Sequence, residues 1–364
     1  MFAGRASTRR GSVNTGVWNM RIAVIGAGAI GGITGGMMAE RGEEVTLVDP
    51  FEGHVAAIND SGLKIVGELG EHTVMARAVT PDGLEGVFDI AFLAVKGVDT
   101  DGALDQLEGY LSESAPVVSL QNGINEEHIS ELIGTSRTIG GSTHYSATFE
   151  GPGVVNKTSR GGYVVGELDG KMTDRVIDVG RLLTLVEQAE VTDNIWGHLW
   201  SKLLINVCTN SFGALSGQLF GEFMQEAVGK KLLAALYTES YDVAVRQGID
   251  LVKLVGVLDP AFLVVRSADD AERVAPVLDI MAGPEQFGKM RSSMLQDIER
   301  GRKTEVEYLN GYIVRKGREL DAATPINETI VEMVEQVEEG SRPLTPKNLE
   351  EIWDRWGPAV FPED

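Results

Sequence analysis

The sequence predicts a two-domain protein in which an α/β domain with a parallel sheet is followed by an all-helical domain. Three observations lead to this prediction. The chain has 364 residues, which is long enough for two hydrophobic cores. Residues 21–50 read as a strand, a glycine-rich turn, a helix and a second strand. From about Thr192 onward glycine becomes sparser and long helical periodicities take over.

Composition excludes several classes of function. A net charge of −22 at pH 7 argues against nucleic-acid binding, because a phosphate backbone needs a basic surface. Binding of a small anionic substrate is compatible with this net charge, because a pocket in an acidic protein can be locally positive. No apolar run reaches the 18 residues of a membrane-spanning helix. Cys208 is the only cysteine and has no partner for a disulfide or a thiolate metal site, so we expect a reducing, cytoplasmic location and no bound metal.

Residues 1–19 are polar and basic and show no periodicity. They lack the apolar core of a secretory signal, although another kind of targeting peptide remains an alternative. We interpret them as a disordered extension or the product of an upstream start codon, with Met20 beginning the folded protein.

The first elements of the chain predict a dinucleotide-binding site. Residues 22–25 are a short apolar run suited to a buried strand, and a G-x-G-x-x-G motif follows. Its first glycine permits a tight turn, its second lets the backbone approach a pyrophosphate, and its third lets the helix pack against the strand. The free N–H groups and partial positive charge at the start of that helix favour an anion. The predicted pyrophosphate-binding residues are Gly26, Gly28, Ala29, Ile30 and Gly31.

An acidic residue closes the second strand and predicts which dinucleotide binds. Asp49 follows the apolar residues 45–48 and stands 18 residues after Gly31. A carboxylate at this place accepts hydrogen bonds from the ribose hydroxyls of NAD and repels the 2′-phosphate of NADP. We therefore expect NAD, with NADP as the alternative, because a neighbouring basic side chain can restore phosphate binding. A chance glycine cluster would not explain the strand, helix and acid around the motif.

Two later strands end in polar residues. Residues 89–95 are followed by Lys96, and residues 117–120 are followed by Gln121-Asn122-Gly123. Ligands gather at the carboxyl ends of parallel strands, so Lys96 and Asn122 are expected to face the cofactor. Ordinary loop polarity is the alternative.

Strand-like pieces continue to a domain boundary near residues 191–194. Residues 139–147, 153–157 and 163–165 are predicted to extend the sheet with antiparallel strands. Asp193 or Asn194 is a plausible cap for the first helix of the second domain. The predicted domains are residues 20–192 and 193–340, with helix breaks near Pro260 and Gly283. The proline-containing residues 341–364 are predicted to be a tail along the surface.

The first long helix carries a polar stripe. Lys202, Asn206 and Asn210 recur at four-residue steps in an otherwise apolar segment, which places them on one helix face with a drift of about 40° per step. Delivery of a hydride to a ketone leaves an alkoxide, which an ammonium group can protonate. Partial burial would lower the lysine pKa toward neutrality, and the amides can bind a carboxylate or carbonyl. The alternative is a solvated Lys202 with asparagines bonded to the backbone.

A second group of candidate site residues lies at residues 291–314. Ser292 and Ser293 open it, and Glu305 is predicted to lie in a helix with apolar positions at Val306, Leu309 and Ile313. Composition alone favours a solvated helix charge for Glu305.

These segments resemble the ketopantoate reductase family (2-dehydropantoate 2-reductase). The resemblance covers residue 20 to about residue 340 and has four separate parts: the glycine motif, Gln121-Asn122-Gly123, the polar stripe, and Ser-Ser-Met-Leu-Gln-Asp with Thr-Glu-Val-Glu-Tyr-Leu-Asn-Gly. It implies a Rossmann domain, an all-helical domain like that of 6-phosphogluconate dehydrogenase, and an active site in the cleft between them. It also implies a possible homodimer through the helical domain.

The resemblance assigns roles to residues that composition leaves open. Lys202 would be the proton donor, Asn122 would lie near the nicotinamide and the reacting carbon, and Glu305 would hold the cofactor ribose or order the site. Lys96 would lie beside the nucleotide. The implied substrate contacts are Asn206, Asn210 and Ser293.

Two departures from the family pattern predict a changed specificity. Well-known members prefer NADPH and carry basic or neutral residues where this chain has Asp49. The family often has an asparagine about ten residues beyond Asn210, before a Gly-Glu pair; here Phe220 precedes that pair. An aromatic ring would remove a polar substrate contact and favour a bulkier or less hydroxylated substrate. NAD-linked D-2-hydroxyacid dehydrogenases of the mandelate type fit both departures.

The expected function is an NAD(H)-dependent oxidoreductase that interconverts a 2-oxo acid and a 2-hydroxy acid. One alternative is a genuine 2-dehydropantoate 2-reductase of pantothenate biosynthesis, which needs Phe220 to be tolerated. Another is a redox sensor that binds NAD without turnover, although a sensor has no need of the proton donor Lys202.

Overall fold

The computed structural model describes residues 20–254, 256–283 and 288–360. The predicted extension at residues 1–19 lies outside these described residues. None of the described helices combines the length and hydropathy that a membrane-spanning segment needs.

Strands and helices alternate in the first half of the chain. The strands are β1 (Arg21–Ile25), β2 (Glu44–Val48), β3 (Leu63–Gly67), β4 (His72–Val74), β5 (Arg77–Val79), β6 (Ile90–Leu93), β7 (Val117–Ser119), β8 (Thr138–Thr143), β9 (Ala147–Gly151), β10 (Val154–Lys157), β11 (Tyr163–Glu167) and β12 (Ala189–Val191). The α-helices are α1 (Ala29–Glu40), α2 (Glu52–Ser61), α3 (Thr100–Leu107), α4 (Glu126–Ile133) and α5 (Asp174–Thr184).

The main sheet has eight strands in the order β12-β11-β8-β7-β6-β1-β2-β5. It is parallel from β5 to β8, and its direction reverses where β11 pairs with β8. The antiparallel prediction is therefore confirmed for the pair of β8 and β11, although β8 also pairs in parallel with β7 on its other side. Because β1 runs directly into the glycine-rich turn, that turn lies at the carboxyl edge of the sheet.

A second sheet, in the order β4-β3-β10-β9, packs on α1. The prediction that residues 153–157 extend the main sheet is wrong, because β10 pairs with β3 and β9 instead. The glycines of α1 allow both sheets to approach. A Cβ added at Gly35 would lie 2.5 Å from Leu47 of the main sheet, and one at Gly36 would lie 2.9 Å from Leu63 of the second sheet. The close packing of α1 therefore depends on the absence of side chains at these positions.

The second half of the chain is helical in its described residues. Its α-helices are α6 (Ile195–Ser216), α7 (Phe220–Gln225), α8 (Ala227–Arg246), α9 (Ala268–Met281), α10 (Ser293–Glu299), α11 (Asn310–Glu319), α12 (Pro325–Glu338) and α13 (Lys347–Val360). The predicted cap is confirmed, since the Asn194 side chain accepts a hydrogen bond from the Gly197 N–H at 3.0 Å. The large buried rings of Trp200, Phe212 and Tyr237 belong to one core of this half.

The predicted C-terminal tail contains a packed helix. Leu349 and Ile352 of α13 are buried in the core of the helical domain. Asn348 donates a hydrogen bond to the carbonyl of Leu215, near the end of α6, at 2.8 Å. The tail prediction is wrong for residues 347–360, because amphipathic spacing between the prolines gives this segment an apolar face to bury.

Glu305 also differs from its prediction. It does not lie within a helix, because it precedes the 3₁₀ turn Val306–Tyr308, and α11 begins only at Asn310. The short turn separates Glu305 from α11, and the Glu305 carboxylate accepts a hydrogen bond from the Gly97 N–H.

Candidate active site

A cavity of about 610 Å³ lies between the carboxyl edge of the main sheet and helices α6 and α10. It collects residues from segments that are far apart in the sequence. The predicted site residues that line it are Gly28, Ala29, Ile30, Asp49, Lys96, Asn122, Lys202, Asn206, Asn210, Ser293 and Glu305.

The glycine-rich turn has the shape that a pyrophosphate needs. Gly26 has a φ of +88°, and a Cβ at Gly31 would lie 1.9 Å from the Gly26 carbonyl oxygen. A Cβ at Gly28, in contrast, would meet no atom within 4 Å, and this residue lines the cavity. α1 starts directly after Gly28 and has no acidic residue in its first turn. Its free N–H groups therefore provide an anion-binding end, which fits the pyrophosphate of a dinucleotide.

Asp49 is fixed beside this turn. One carboxylate oxygen accepts a hydrogen bond from the Ala27 N–H at 3.0 Å, and the other accepts one from the Phe51 N–H at 2.9 Å. Each carboxylate oxygen has a second lone pair, so Asp49 can still accept hydrogen bonds from a ligand in the cavity. Phe51 lines the same end of the cavity and is half exposed.

The polar stripe of α6 faces the cavity and is held by two neighbours. Asn206 donates to the side-chain oxygen of Asn122 at 3.2 Å, across the boundary between the domains. Ser293 donates to the side-chain oxygen of Asn210, also at 3.2 Å. The Asn210 amide N–H₂ is then left to donate elsewhere. The structure thus brings together four side chains from α6, α10 and the loop that follows β7.

Lys202 lines the cavity one helical turn before Asn206, within the influence of two buried carboxylates. Burial lowers the pKa of Lys202 to about 8, while the charges of Glu305 and Glu126 act in the opposite direction. Burial raises the pKa of Glu305, and the Gly97 N–H donates a hydrogen bond to that carboxylate at 3.2 Å. A lysine with this pKa exchanges its proton near neutral pH.

Lys96 joins the two domains at the edge of the cavity. Its ammonium group lies 2.5 Å from a carboxylate oxygen of Asp297 on α10. Burial raises the pKa of Asp297, and the adjacent Lys96 opposes that shift. Lys96 thus lines the cavity and is also an ion-pair partner of the helical domain, while its contact with the nucleotide stays a prediction.

Two residues near Lys202 carry no clear signal in the sequence pattern. His144, which lines the cavity, has its pKa lowered to about 4, first by burial and then by Lys202 and His198. Glu126 is buried behind the site, and burial raises its pKa to about 7. His198 lies four residues before Lys202 and so continues the polar stripe by one helical turn. Because His198 also influences the pKa of His144, it is the one residue in the sequence pattern that points to this neighbourhood.

Phe220 is the predicted substrate-contacting residue that the structure places away from the cavity. Phe220 is only 2% exposed and does not line the cavity. Its ring packs on that of Phe223, with 5.2 Å between the ring centroids. An aromatic side chain at the start of α7 gains more from burial in the helical core than from exposure in a polar cleft.

Comparison with known proteins agrees with this geometry. Residues 22–170 match the family described as ketopantoate reductase PanE/ApbA, and residues 194–338 match its C-terminal part. The 2-dehydropantoate 2-reductase of Pyrococcus abyssi is 33% identical over 314 residues, which cover 85% of this chain and 94% of the relative.

Two solved structures are similar over most of their length. A ternary structure of D-mandelate dehydrogenase with NADH and anilino(oxo)acetate has 27% identity and a TM-score of 0.77, covering 88% of this chain and 99% of that one. The PanE/ApbA family ketopantoate reductase from Ralstonia eutropha JMP134 has 28% identity and a TM-score of 0.75, with the same coverage. The chain therefore belongs to the ketopantoate reductase family, whose members are oxidoreductases that act on CH–OH groups with a nicotinamide dinucleotide.

Proposed function

We propose that this protein is an NADH-preferring reductase that interconverts a 2-oxo acid and the corresponding 2-hydroxy acid. The observation that carries the proposal is Lys202, whose pKa is about 8 and which lies beside buried carboxylates in the cavity that also contains the glycine-rich turn. A proton donor and a dinucleotide site in one cavity are what a carbonyl reductase needs.

Asp49 supports NADH as the cofactor. Its carboxylate is fixed by two backbone N–H groups and lines the cavity near the start of α1. It can accept hydrogen bonds from ribose hydroxyls, whereas a 2′-phosphate would be repelled. Gly28, Ala29 and Ile30 would hold the pyrophosphate. When bound, the cofactor would supply the hydride.

The helical domain would supply the proton and the substrate contacts. The Lys202 ammonium group would donate its proton to the substrate carbonyl oxygen as negative charge develops there. Because Ser293 donates to the Asn210 oxygen, the Asn210 amide is oriented to donate to the substrate carboxylate. Asn206 is fixed with the opposite polarity: its amide N–H₂ donates to the side-chain oxygen of Asn122, so the Asn206 oxygen is left to accept. Glu305, held by the Gly97 N–H, would order the site next to Lys202.

A genuine 2-dehydropantoate 2-reductase is the second candidate. The similarity to the Pyrococcus abyssi relative supports it, and so does the burial of Phe220, because a ring packed in the helical core does not narrow the cavity. The D-mandelate dehydrogenase similarity, with NADH in its structure, favours the broader proposal. Membership in an oxidoreductase family leaves the non-catalytic sensor without support.

The test is a matrix of two cofactors and several 2-oxo acids. Purified protein is mixed with NADH or NADPH and with ketopantoate, benzoylformate or an aliphatic 2-oxo acid, and loss of nicotinamide absorbance is followed. We expect higher kcat/KM with NADH than with NADPH, and Asp49→Asn should reduce that ratio. A preference for NADPH in the wild type would contradict the cofactor proposal, and no turnover of any 2-oxo acid would contradict the substrate class. Turnover of ketopantoate alone would favour the second candidate.

A further inference from the structure

One residue of the glycine-rich turn, Ala27, is held by a side chain at each of its backbone polar groups. Its N–H donates to Asp49 at 3.0 Å, and its carbonyl oxygen lies 2.8 Å from Nε2 of His54. His54 is on α2, and its side chain is 1% exposed. A buried histidine with this contact lies outside the set of residues that the proposed reaction uses.

The partners of His54 determine which of its ring nitrogens carries the proton. The Gly153 N–H donates to Nδ1 at 2.9 Å, so Nδ1 is the unprotonated acceptor. Nε2 must then carry the proton and donate it to the Ala27 carbonyl, because a carbonyl oxygen can only accept. The neutral ring therefore accepts a hydrogen bond from the Gly153 N–H and donates one to the Ala27 carbonyl oxygen.

The bond to the Ala27 carbonyl also sets the direction of the next N–H group. In a trans peptide the C=O of one residue and the N–H of the following residue point in opposite directions. Since the Ala27 carbonyl is aimed at the buried His54, the Gly28 N–H is aimed away from it. Gly28 is the residue whose α-carbon faces open cavity at the start of α1.

His54 connects this peptide to the second sheet. Gly153 lies in the turn between β9 and β10, and the ring of Phe149 on β9 meets the His54 ring edge-on, with 5.0 Å between the centroids. Phe149 also lines the cavity. The same imidazole thus touches the glycine-rich turn and the strand that forms one wall of the cavity.

We propose that His54 is a positioning residue for dinucleotide binding, which holds the Ala27–Gly28 peptide so that the Gly28 N–H donates to the pyrophosphate. The inference rests on the proposed cofactor site and not on the identity of the substrate. It assigns to α2 a part in cofactor affinity that the glycine motif and Asp49 do not account for.

Two substitutions separate the two hydrogen bonds of His54. His54→Gln places an amide N–H₂ at about the position of Nε2, so it can still donate to the Ala27 carbonyl. His54→Asn places an acceptor at about the position of Nδ1, so it keeps the Gly153 bond and loses the Ala27 bond. The dissociation constants for NADH and for ADP-ribose are measured by titration, together with the melting temperature of each free protein.

We expect His54→Asn to weaken NADH and ADP-ribose about tenfold or more, and His54→Gln to weaken them no more than about threefold. At saturating NADH, kcat should stay within twofold of the wild-type value in both variants. If His54→Asn does not fold, His54→Phe, which keeps the ring against Phe149 without either hydrogen bond, takes its place with the same expected loss.

Wild-type affinity in His54→Asn or His54→Phe would overturn the inference. Equal weakening of both amide variants, in proportion to their melting temperatures, would also overturn it, because that result indicates a purely structural role. A wild-type protein that binds neither NADH nor NADPH would instead overturn the proposed cofactor site, so the two failures are distinguishable.

Discussion

A lysine that serves as proton donor has to be protonated before the reaction and able to lose the proton during it. An exposed lysine, with a pKa near 10.4, holds its proton too tightly for efficient transfer at neutral pH. Burial of Lys202 lowers that pKa to about 8, and the carboxylates of Glu305 and Glu126 keep it from falling further. The pKa of Lys202 therefore reflects two opposing effects: desolvation lowers it, and the two nearby negative charges raise it.

Removal of the Lys202 amine should slow the chemical step with little effect on cofactor binding. We expect Lys202→Met to lower kcat about 100- to 10,000-fold, because a positioned general acid contributes rate enhancements of that size. Lys202→Arg keeps the positive charge but cannot release a proton near neutral pH, so it should be nearly as slow. The exposed Lys253 provides a matched control, and Lys253→Met should be as active as the wild type. A Lys202→Arg variant with wild-type kcat would contradict proton donation by this residue.

The two directions of the reaction should depend on pH in opposite ways. Reduction needs the Lys202 ammonium, so its kcat should be highest well below pH 8 and should fall as the pH rises through about 8. Oxidation of the 2-hydroxy acid needs the neutral amine and should increase over the same range. Glu126, whose pKa is about 7, and His144, whose pKa is about 4, also face this region and would add inflections at lower pH. Parallel profiles for the two directions would contradict the assignment.

The sequence predicts which residues lie together where only one type of secondary structure can bring them to the same face. Lys202, Asn206 and Asn210 can share a face only on a helix, and the structure places them on one cavity wall. Phe220 is less well predicted, because its place in the sequence suggests the substrate pocket while its ring is buried against Phe223. His54 could not be found from sequence, because its role comes from a bond to Ala27, 27 residues away, and from a hairpin 99 residues away.

At the level of elements, local pattern predicts six of the eight strands of the main sheet, but neither the edge strands β5 and β12 nor which strands pair. β10 pairs in parallel with β3, about 90 residues earlier in the chain, and nothing in either strand specifies that choice. What permits the second sheet is α1, whose glycines leave room for a layer on each side. The second sheet then forms part of the cavity wall, because residues of β9 line the cavity.

The prolines of the C-terminal segment favour an irregular tail, but the structure has the helix α13 there. The burial of α13 predicts that a core substitution in it lowers the stability of the protein. Ile352 is fully buried in the core that also contains α6 and α8, so Ile352→Ala should lower the free energy of unfolding by about 2–4 kcal/mol. The exposed Asp354 lies on the same helix, and Asp354→Ala should change stability by no more than about 0.5 kcal/mol. Denaturant titration of both variants checks this, and equal small effects would contradict the packing of α13.

At the scale of the whole molecule, the two halves of the chain meet around the cavity through polar contacts. Lys96 pairs with Asp297, Lys316 of α11 pairs with Glu127 of α4, and Asn206 bonds Asn122. Apolar contacts join the halves as well, because Ile124 and Val164 of the first half are buried in the core that contains Ile195 and Leu199 of α6. The homodimer stays a prediction, as does the division of the chain at residues 192 and 193.

The net charge of −22 gives the last prediction, which concerns the stability of the entire chain. It arises from 54 acidic and 32 basic residues, so repulsion among carboxylates opposes the compact state at low ionic strength. Exposed ion pairs contribute little each, whereas raising the salt from 0.1 M to 1 M shortens the screening length from about 10 Å to about 3 Å. We therefore expect the melting temperature at pH 7.5 to rise by at least about 2 °C over this range, which corresponds to about 1 kcal/mol for a domain of this size. The control is the same salt series near the sequence pI of about 4.7, where net repulsion is small and the increase should largely disappear. A melting temperature that falls with salt at pH 7.5 would show that ion pairs, and not net repulsion, dominate the electrostatics of the fold.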